Sequence, residues 1–318
     1  MNIKDLLIRT NLTTPFKEFL PSIQSMYPRI GTILSFEPIY EGYEDANFIL
    51  KTETGSYVLK IFSKERSLKN IYDYAQVIIE ATKVGVETLE IVTGKEGEIC
   101  REKNIYCMLT KFFDGKNFED IIPSKEDIHN VTESISKLNT LSLDLEVSYD
   151  SWGNRNLVKE FEKSPIQDIE IREKLLPIIS YLKNIDFSNF SKGVIHGDLQ
   201  KKHILKKDEK YCLLDYGCVS YDLKIYEISI FLSWFCLEEA TWENREQIFN
   251  MVLETYLQKH TLNSKEIGMI KPLIAASYAA FLLKSTEYIE SGDSNKQTIE
   301  WNTKAKNLYF KALEWIEV

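Results

Sequence analysis

The chain has 318 residues, 44% of them hydrophobic and 27% charged, a profile that excludes a disordered or collagen-like chain and allows one large core or two joined ones. A net charge of −9 argues against a nucleic-acid duplex or an anionic membrane as the main partner. Five cysteines, Cys100, Cys107, Cys212, Cys218 and Cys236, form an odd set without a CxxC pair, which removes a disulfide framework and a structural zinc site and suits a reducing cytoplasm.

The first residues, MNIKDLLIRTNL, lack a basic stretch followed by a sustained apolar run, so no signal peptide is expected. Thr14 and Pro15 read as the cap and first residue of a helix whose Phe16, Phe19, Leu20, Ile23 and Met26 share a face. From Ile33 the pattern shifts to short β-rich runs, predicting antiparallel strands over 33–40, 46–52 and 56–62. A helix follows over Leu68 to Lys83, stopping before Gly85, and then two more strands over 89–93 and 104–110. The boundary is expected near residue 113, giving a small sheet lobe over 1–112 and a larger, mainly helical lobe over 113–318. There, Ser124 and Asp127 form a capping box, and helices recur around 155–163 and 171–184. Short β pieces fall at 193–196, 203–206 and 211–215, and helices fill the chain from Ile225. The longest apolar runs, 228–237 and 273–283, are interrupted by Ser, Tyr and Trp and are too short to span a bilayer, so a soluble protein is expected.

Chemistry-bearing residues concentrate between Val194 and Asp222. His196-Gly197-Asp198 follows the apolar pair Val194-Ile195, which places Asp198 where a strand gives way to a loop; His203 stands five residues later. Asp215-Tyr216-Gly217 closes the next apolar strand, Tyr211 to Leu214. Phosphoryl transfer needs a carboxylate to align the acceptor hydroxyl, a metal between phosphates and a cation on the phosphate tail. The segment resembles the aminoglycoside phosphotransferase and choline kinase superfamily, whose catalytic loop reads HGDxxxxN, and looks nearest to type II homoserine kinases.

That resemblance implies an α+β, bilobal protein-kinase-like fold and ATP-dependent phosphorylation of a small molecule. It makes Asp198 the catalytic carboxylate and Asp215 and His203 the ligands of Mg²⁺, with Mn²⁺ as the alternative. Lys60, in Val58-Leu59-Lys60-Ile61, would hold the α and β phosphates, with Asp73 or Glu80 of the following helix as its acidic partner. The turn from Tyr40 to Asn47, with its one glycine Gly42, would cover the nucleotide. Met108, Leu109, Thr110 and Lys111 would offer backbone groups to adenine at the hinge. Lys201 and Lys202 would either meet the γ-phosphate or continue a solvated lysine run. Asp222 would brace the catalytic loop, and Glu227 and His196 would be structural. His203 departs from the family's Asn, and macrolide phosphotransferases resemble this chain in carrying His there. Imidazole is a softer ligand than an amide oxygen, which leaves open an inactive kinase fold acting as a nucleotide-binding or scaffold protein.

Gly217 is followed almost at once by Asp222, leaving no room for a long activation segment and favouring small acceptors: homoserine-like or choline-like amino alcohols, aminoglycosides or macrolides. Trp234, Phe235 and Cys236 read as core. Glu238, Glu239, Glu287 and Glu290 read either as an acidic pocket for an amine or as a solvated face.

Overall fold

The computed structural model of the protein describes residues 3–40, 42, 44–146, 149–293 and 295–316. The chain divides into two compact units. One runs as far as Lys116 and takes in Leu205–Leu214; the other comprises Asn117–Ile204 and the chain from Asp215 onward. Three crossings thus stand where a single boundary near residue 113 was expected, because a hairpin inside the second half of the sequence associates with the sheet.

In the first unit, α1 (Ile3–Leu7) and α2 (Phe16–Met26) precede a five-stranded antiparallel sheet. Its strands are β1 (Ile33–Ile39), β2 (Ala46–Thr52), β3 (Gly55–Ile61), β4 (Ile99–Glu102) and β5 (Ile105–Lys111), in the order β1-β2-β3-β5-β4. Side chains two apart along a strand share a face. Phe48, Leu50, Leu59, Ile61, Cys107 and Leu109 are buried this way in one cluster with Phe16, Phe19 and Ile23 of α2. Phe16 stacks on Phe48 at 3.7 Å between centroids. Helix α3 (Leu68–Lys83) starts at Ser67, whose Oγ accepts from the Asn70 N–H at 3.0 Å. Residues 89–93, expected as a strand, pair with β5 only at Ile91 opposite Thr110. The strand proper, β4, lies beyond a turn in which the Gly94 N–H donates to the Gly97 carbonyl at 2.8 Å.

The second unit is built from α4 (Lys125–Leu138), α5 (Leu157–Lys163), α6 (Ile169–Lys183), α7 (Lys224–Phe231), α8 (Arg245–Leu257), α9 (Ser264–Glu290) and α10 (Lys296–Ile316). The capping box of α4 is present: Ser124 Oγ accepts from the Asp127 N–H at 3.2 Å, and Asp127 Oδ2 from the Ser124 N–H at 2.8 Å. Among these helices run two short ladders, β6 (Lys192–Ile195) with β9 (Ser220–Leu223), and β7 (Ile204–Lys207) with β8 (Lys210–Leu213); most of the latter belongs to the first unit. Tyr221 and Asp222 are strand residues, since their backbone is used in the ladder to β6, and the helix begins at Lys224, beside the Ile225 from which helix was expected. Helix α9 is 27 residues long, and by length and composition it could cross a bilayer, contrary to the expectation that no segment is long enough. Its apolar residues form the buried axis of the helical unit, from Met269 through Leu283.

Candidate active site

The β6–β9 ladder, with Ile195 opposite Ser220, fixes the strand end from which the loop departs. Gly197 then turns with φ +80°, and a Cβ on it would lie 2.7 Å from the Cys218 carbonyl oxygen, so conformation and space both demand glycine. The Gly197 N–H donates to Glu227 Oε2 at 2.9 Å, and Asn139 Nδ2 donates to the Val194 carbonyl at 2.8 Å. Buried His196 accepts the Asp198 N–H through Nδ1 at 3.3 Å. Arg155 donates to Ser220 Oγ at 2.5 Å and approaches Asp222 Oδ2 at 3.4 Å, which ties the neighbouring strand β9 to the turn before α5. The loop is thereby held from α4 and α7 before any reactive side chain is placed.

Glu227 is fully buried and its Oε1 has no hydrogen-bond partner among the described residues. Burial pushes its carboxyl up to about 7, against the opposing pull of the Gly197 amide. An acid whose folded pKa is raised favours the protonated native state, so stability should fall as pH rises from about 4.5 to about 7, by roughly 3 kcal/mol from this group. Glu227→Gln keeps an acceptor for Gly197 and removes the titration. It should flatten that part of the stability profile and melt above the unmodified protein at mildly alkaline pH; an unchanged slope in urea melts across the window would rule out this origin.

Three side chains converge at the loop. Asp198 is half-buried, and Gln200 Nε2 donates to its Oδ1. Desolvation raises its carboxyl to about 6; Lys202 and the Gln200 hydrogen bond oppose this, and the charge of Asp215 adds to it. His203 places Nδ1 at 2.7 Å from the Asp198 carbonyl oxygen. That oxygen can only accept, so Nδ1 bears the proton and a neutral ring keeps its lone pair on Nε2. Nε2 stands 4.0 Å from Asp215 Oδ2. Asp215 itself adopts φ 59°, a left-handed conformation uncommon for a residue with a side chain and one that functional positions often show. A lone pair and a carboxylate oxygen facing each other at this separation fit a divalent cation held between them.

Lys201, read either as a γ-phosphate contact or as part of a solvated lysine run, is buried and paired with Glu238 at 2.6 Å, so it is not solvated. The other acids of the expected amine pocket are engaged as well: Glu239 with Lys311, Glu287 with Lys284, and Glu290 as acceptor from the Gln167 and Asp168 amides.

In the first unit, Lys60 is buried on β3 and its ammonium meets Asp45 Oδ2 at 3.0 Å, a partner the sequence reading did not name. Asp73 pairs with Lys69 at 3.1 Å and Glu80 with Lys83 at 2.7 Å. Asp45 also accepts from the Ser63 N–H at 2.9 Å and from Arg66 Nε at 2.9 Å. The hairpin register held the signal for this partner, since Asn47 lies opposite Lys60 and Asp45 is two residues further on the same edge. Met108, Leu109, Thr110 and Lys111 do not leave the strand as expected. All four lie within β5, paired with β3, and the Leu109 carbonyl and Lys111 N–H are bonded to Val92 and Glu90. The chain departs the ladder only after Phe112, whose N–H still bonds Ser56. Gly42 has φ +91°, and its carbonyl accepts from Arg9 at 2.7 Å; Glu41 and Tyr43 of the same turn lie outside the described residues.

Comparison with known proteins bears on these geometries. The sequence model of the APH phosphotransferase enzyme family matches residues 35–250. Among curated proteins, a homoserine kinase of Rhodopseudomonas palustris (strain BisB5) is 23% identical over 265 residues, covering 80% of this chain and 79% of the relative. A homoserine kinase of Agrobacterium fabrum is 26% identical over 267 residues, covering 80% of each chain. Among solved structures, an amicoumacin kinase determined with AMP-PNP and Ca²⁺ superposes with a TM-score of 0.70 at 14% identity, over 96% of this chain and 95% of that one. The fold is thus that of the protein-kinase-like phosphotransferases.

Proposed function

We propose, from the premise that the chain belongs to the APH phosphotransferase enzyme family, that it transfers the γ-phosphate of ATP to a hydroxyl of a small molecule. The observation that supports this most is the convergence of Asp198, His203 and Asp215 on one strongly braced loop. Asp198 accepts a hydrogen bond from the acceptor hydroxyl and aligns its oxygen with the γ-phosphorus. The new O–P bond forms as the bond to the β,γ-bridging oxygen breaks; ADP leaves, and the hydroxyl proton passes to Asp198 and then to solvent. Asp215 and His203 hold the divalent cation, Mg²⁺ or Mn²⁺, which when bound neutralises charge on the phosphate oxygens. Lys60, kept in place by Asp45, contacts the donor phosphates.

The curated homoserine kinases match over about four fifths of their length, which favours an amino alcohol of that kind over an antibiotic as acceptor. Purified protein with ATP and Mg²⁺ or Mn²⁺ should consume ATP only when the right alcohol is supplied from a panel of amino alcohols, choline and antibiotics. Silence across the panel in both metals, with no thermal shift by nucleotide and metal, would favour the scaffold reading instead.

Ligation by His203 makes a further demand. His203→Asn replaces a nitrogen donor with an amide oxygen, and the ratio of Mg²⁺-supported to Mn²⁺-supported kcat/KM should rise on the order of tenfold. An unchanged ratio would place His203 outside the metal's coordination.

A further inference from the structure

Two half-buried lysines of the helical unit lie against aromatic rings with no carboxylate in salt-bridge range among the described residues. Lys202 follows Lys201 in the catalytic loop, and its ammonium sits 5.5 Å from the centre of the Trp301 ring. Lys304 lies one turn after Trp301 on α10, and its ammonium is 5.7 Å from the centre of the Trp234 ring. Among the described residues neither makes a hydrogen bond or ion pair, whereas Lys201 between them is satisfied by Glu238. The rings are continuous: Trp301 meets Phe281 edge-on at 6.2 Å, and Phe281 packs on Trp234 at 4.1 Å. One aromatic wall therefore bears an ammonium at each end.

Electrostatics agree with this geometry. Lys304 has its pKa lowered by desolvation first and by repulsion from Lys201 second, with the charge of Glu238 opposing both. Lys202 lowers the pKa of Asp198, so its charge is felt at the carboxylate that receives the acceptor hydroxyl. A cation on a ring face gains about 0.5–2 kcal/mol, less than a buried ammonium loses when it gives up water without a paired anion.

We propose that Lys202 and Lys304 form an anion subsite beside Asp198, and that the acceptor alcohol carries a carboxylate seated there against the wall of Trp301, Phe281 and Trp234. This rests on the phosphotransfer reading for the word acceptor, but not for the subsite itself. It selects hydroxy acids and hydroxy amino acids over choline-like and aminoglycoside acceptors, whose positive charge the two lysines repel.

Matched pairs that differ only in the carboxylate test the proposal in two independent ways. In calorimetric binding without nucleotide, L-2-aminobutyrate should bind the intact protein at least about tenfold more tightly than propylamine, the worth of one charge-assisted hydrogen bond. In turnover, L-homoserine should exceed 3-amino-1-propanol in kcat/KM by a similar factor. Both preferences should shrink toward unity in Lys304→Met and Lys202→Met and return in Lys304→Arg, with circular dichroism reporting folding. Equal binding of the pair by the intact protein overturns the subsite whatever the variants do. So does a loss confined to AMP-PNP binding in the variants, which would assign the lysines to the nucleotide's phosphates. A binding preference without ATP consumption would keep the subsite and overturn the phosphotransfer reading; ATP consumption that ignores the carboxylate would do the reverse.

Discussion

Asp198→Asn should lower ATP turnover by a factor of about 10²–10⁴ while leaving the protein folded. Asn keeps an oxygen to accept from Gln200 and loses only the charge and basicity that position the acceptor hydroxyl. The raised pKa supplies a second signature. With the carboxyl titrating at about 6, Asp198 is ionised above that pH and protonated below it. Turnover in the intact enzyme should therefore fall as pH drops through about 6. The same raised value means that ionised Asp198 costs the native state stability near neutrality, so the Asn variant should melt at or above the parent's temperature there. A coupled ATP assay and a thermal melt on the same preparation decide the matter; an Asn variant within threefold of the parent would remove Asp198 from catalysis.

Asp45→Ala should destabilise the sheet unit by about 3–5 kcal/mol, because it removes the buried carboxylate that Lys60 and Arg66 share, leaving Arg66 its outer partner Glu44. Lys60 and Arg66 have side chains only 10% and 7% exposed, and Asp45 bridges them while also holding the Ser63 amide. The expectation from sequence, an acid of α3 facing Lys60, predicts the opposite pattern. Glu80 and its partner Lys83 are largely at the surface, so Glu80→Ala should cost under about 1 kcal/mol. Urea unfolding of the two variants tests the assignment: a larger loss in Glu80→Ala than in Asp45→Ala would return the partner of Lys60 to the helix.

What the sequence made legible were features with a local period or a local cap. Helix α3 and strands β2 and β3 emerge from 3.6- and 2-residue repeats, and α4 from the Ser124–Asp127 box. The HGD and DYG turns were likewise announced by the apolar strands before them. Side-chain partners were not legible, because they are chosen by tertiary proximity. Lys201 meets Glu238 from a segment 37 residues away, and Lys202 meets Trp301 from the last helix. The end of β5 was misplaced because nothing marks it: the chain stays in the ladder through the polar pair Thr110-Lys111, where the apolar run had already stopped. Strand β9 was not foreseen at all, because its partner β6 lies far away in sequence and the ladder to it decides its conformation.

The close approach at Gly197 has one further consequence. The HGD turn and the DYG turn abut through an α-hydrogen of Gly197 on one side and the Cys218 carbonyl, with its Cβ just beyond, on the other. The spacing between the carboxylates of Asp198 and Asp215 is therefore metered by the thickness of bare backbone. A methyl group at residue 197, chemically inert and touching no substrate, would act as a shim, widening the gap across which the acceptor and its metal must be matched.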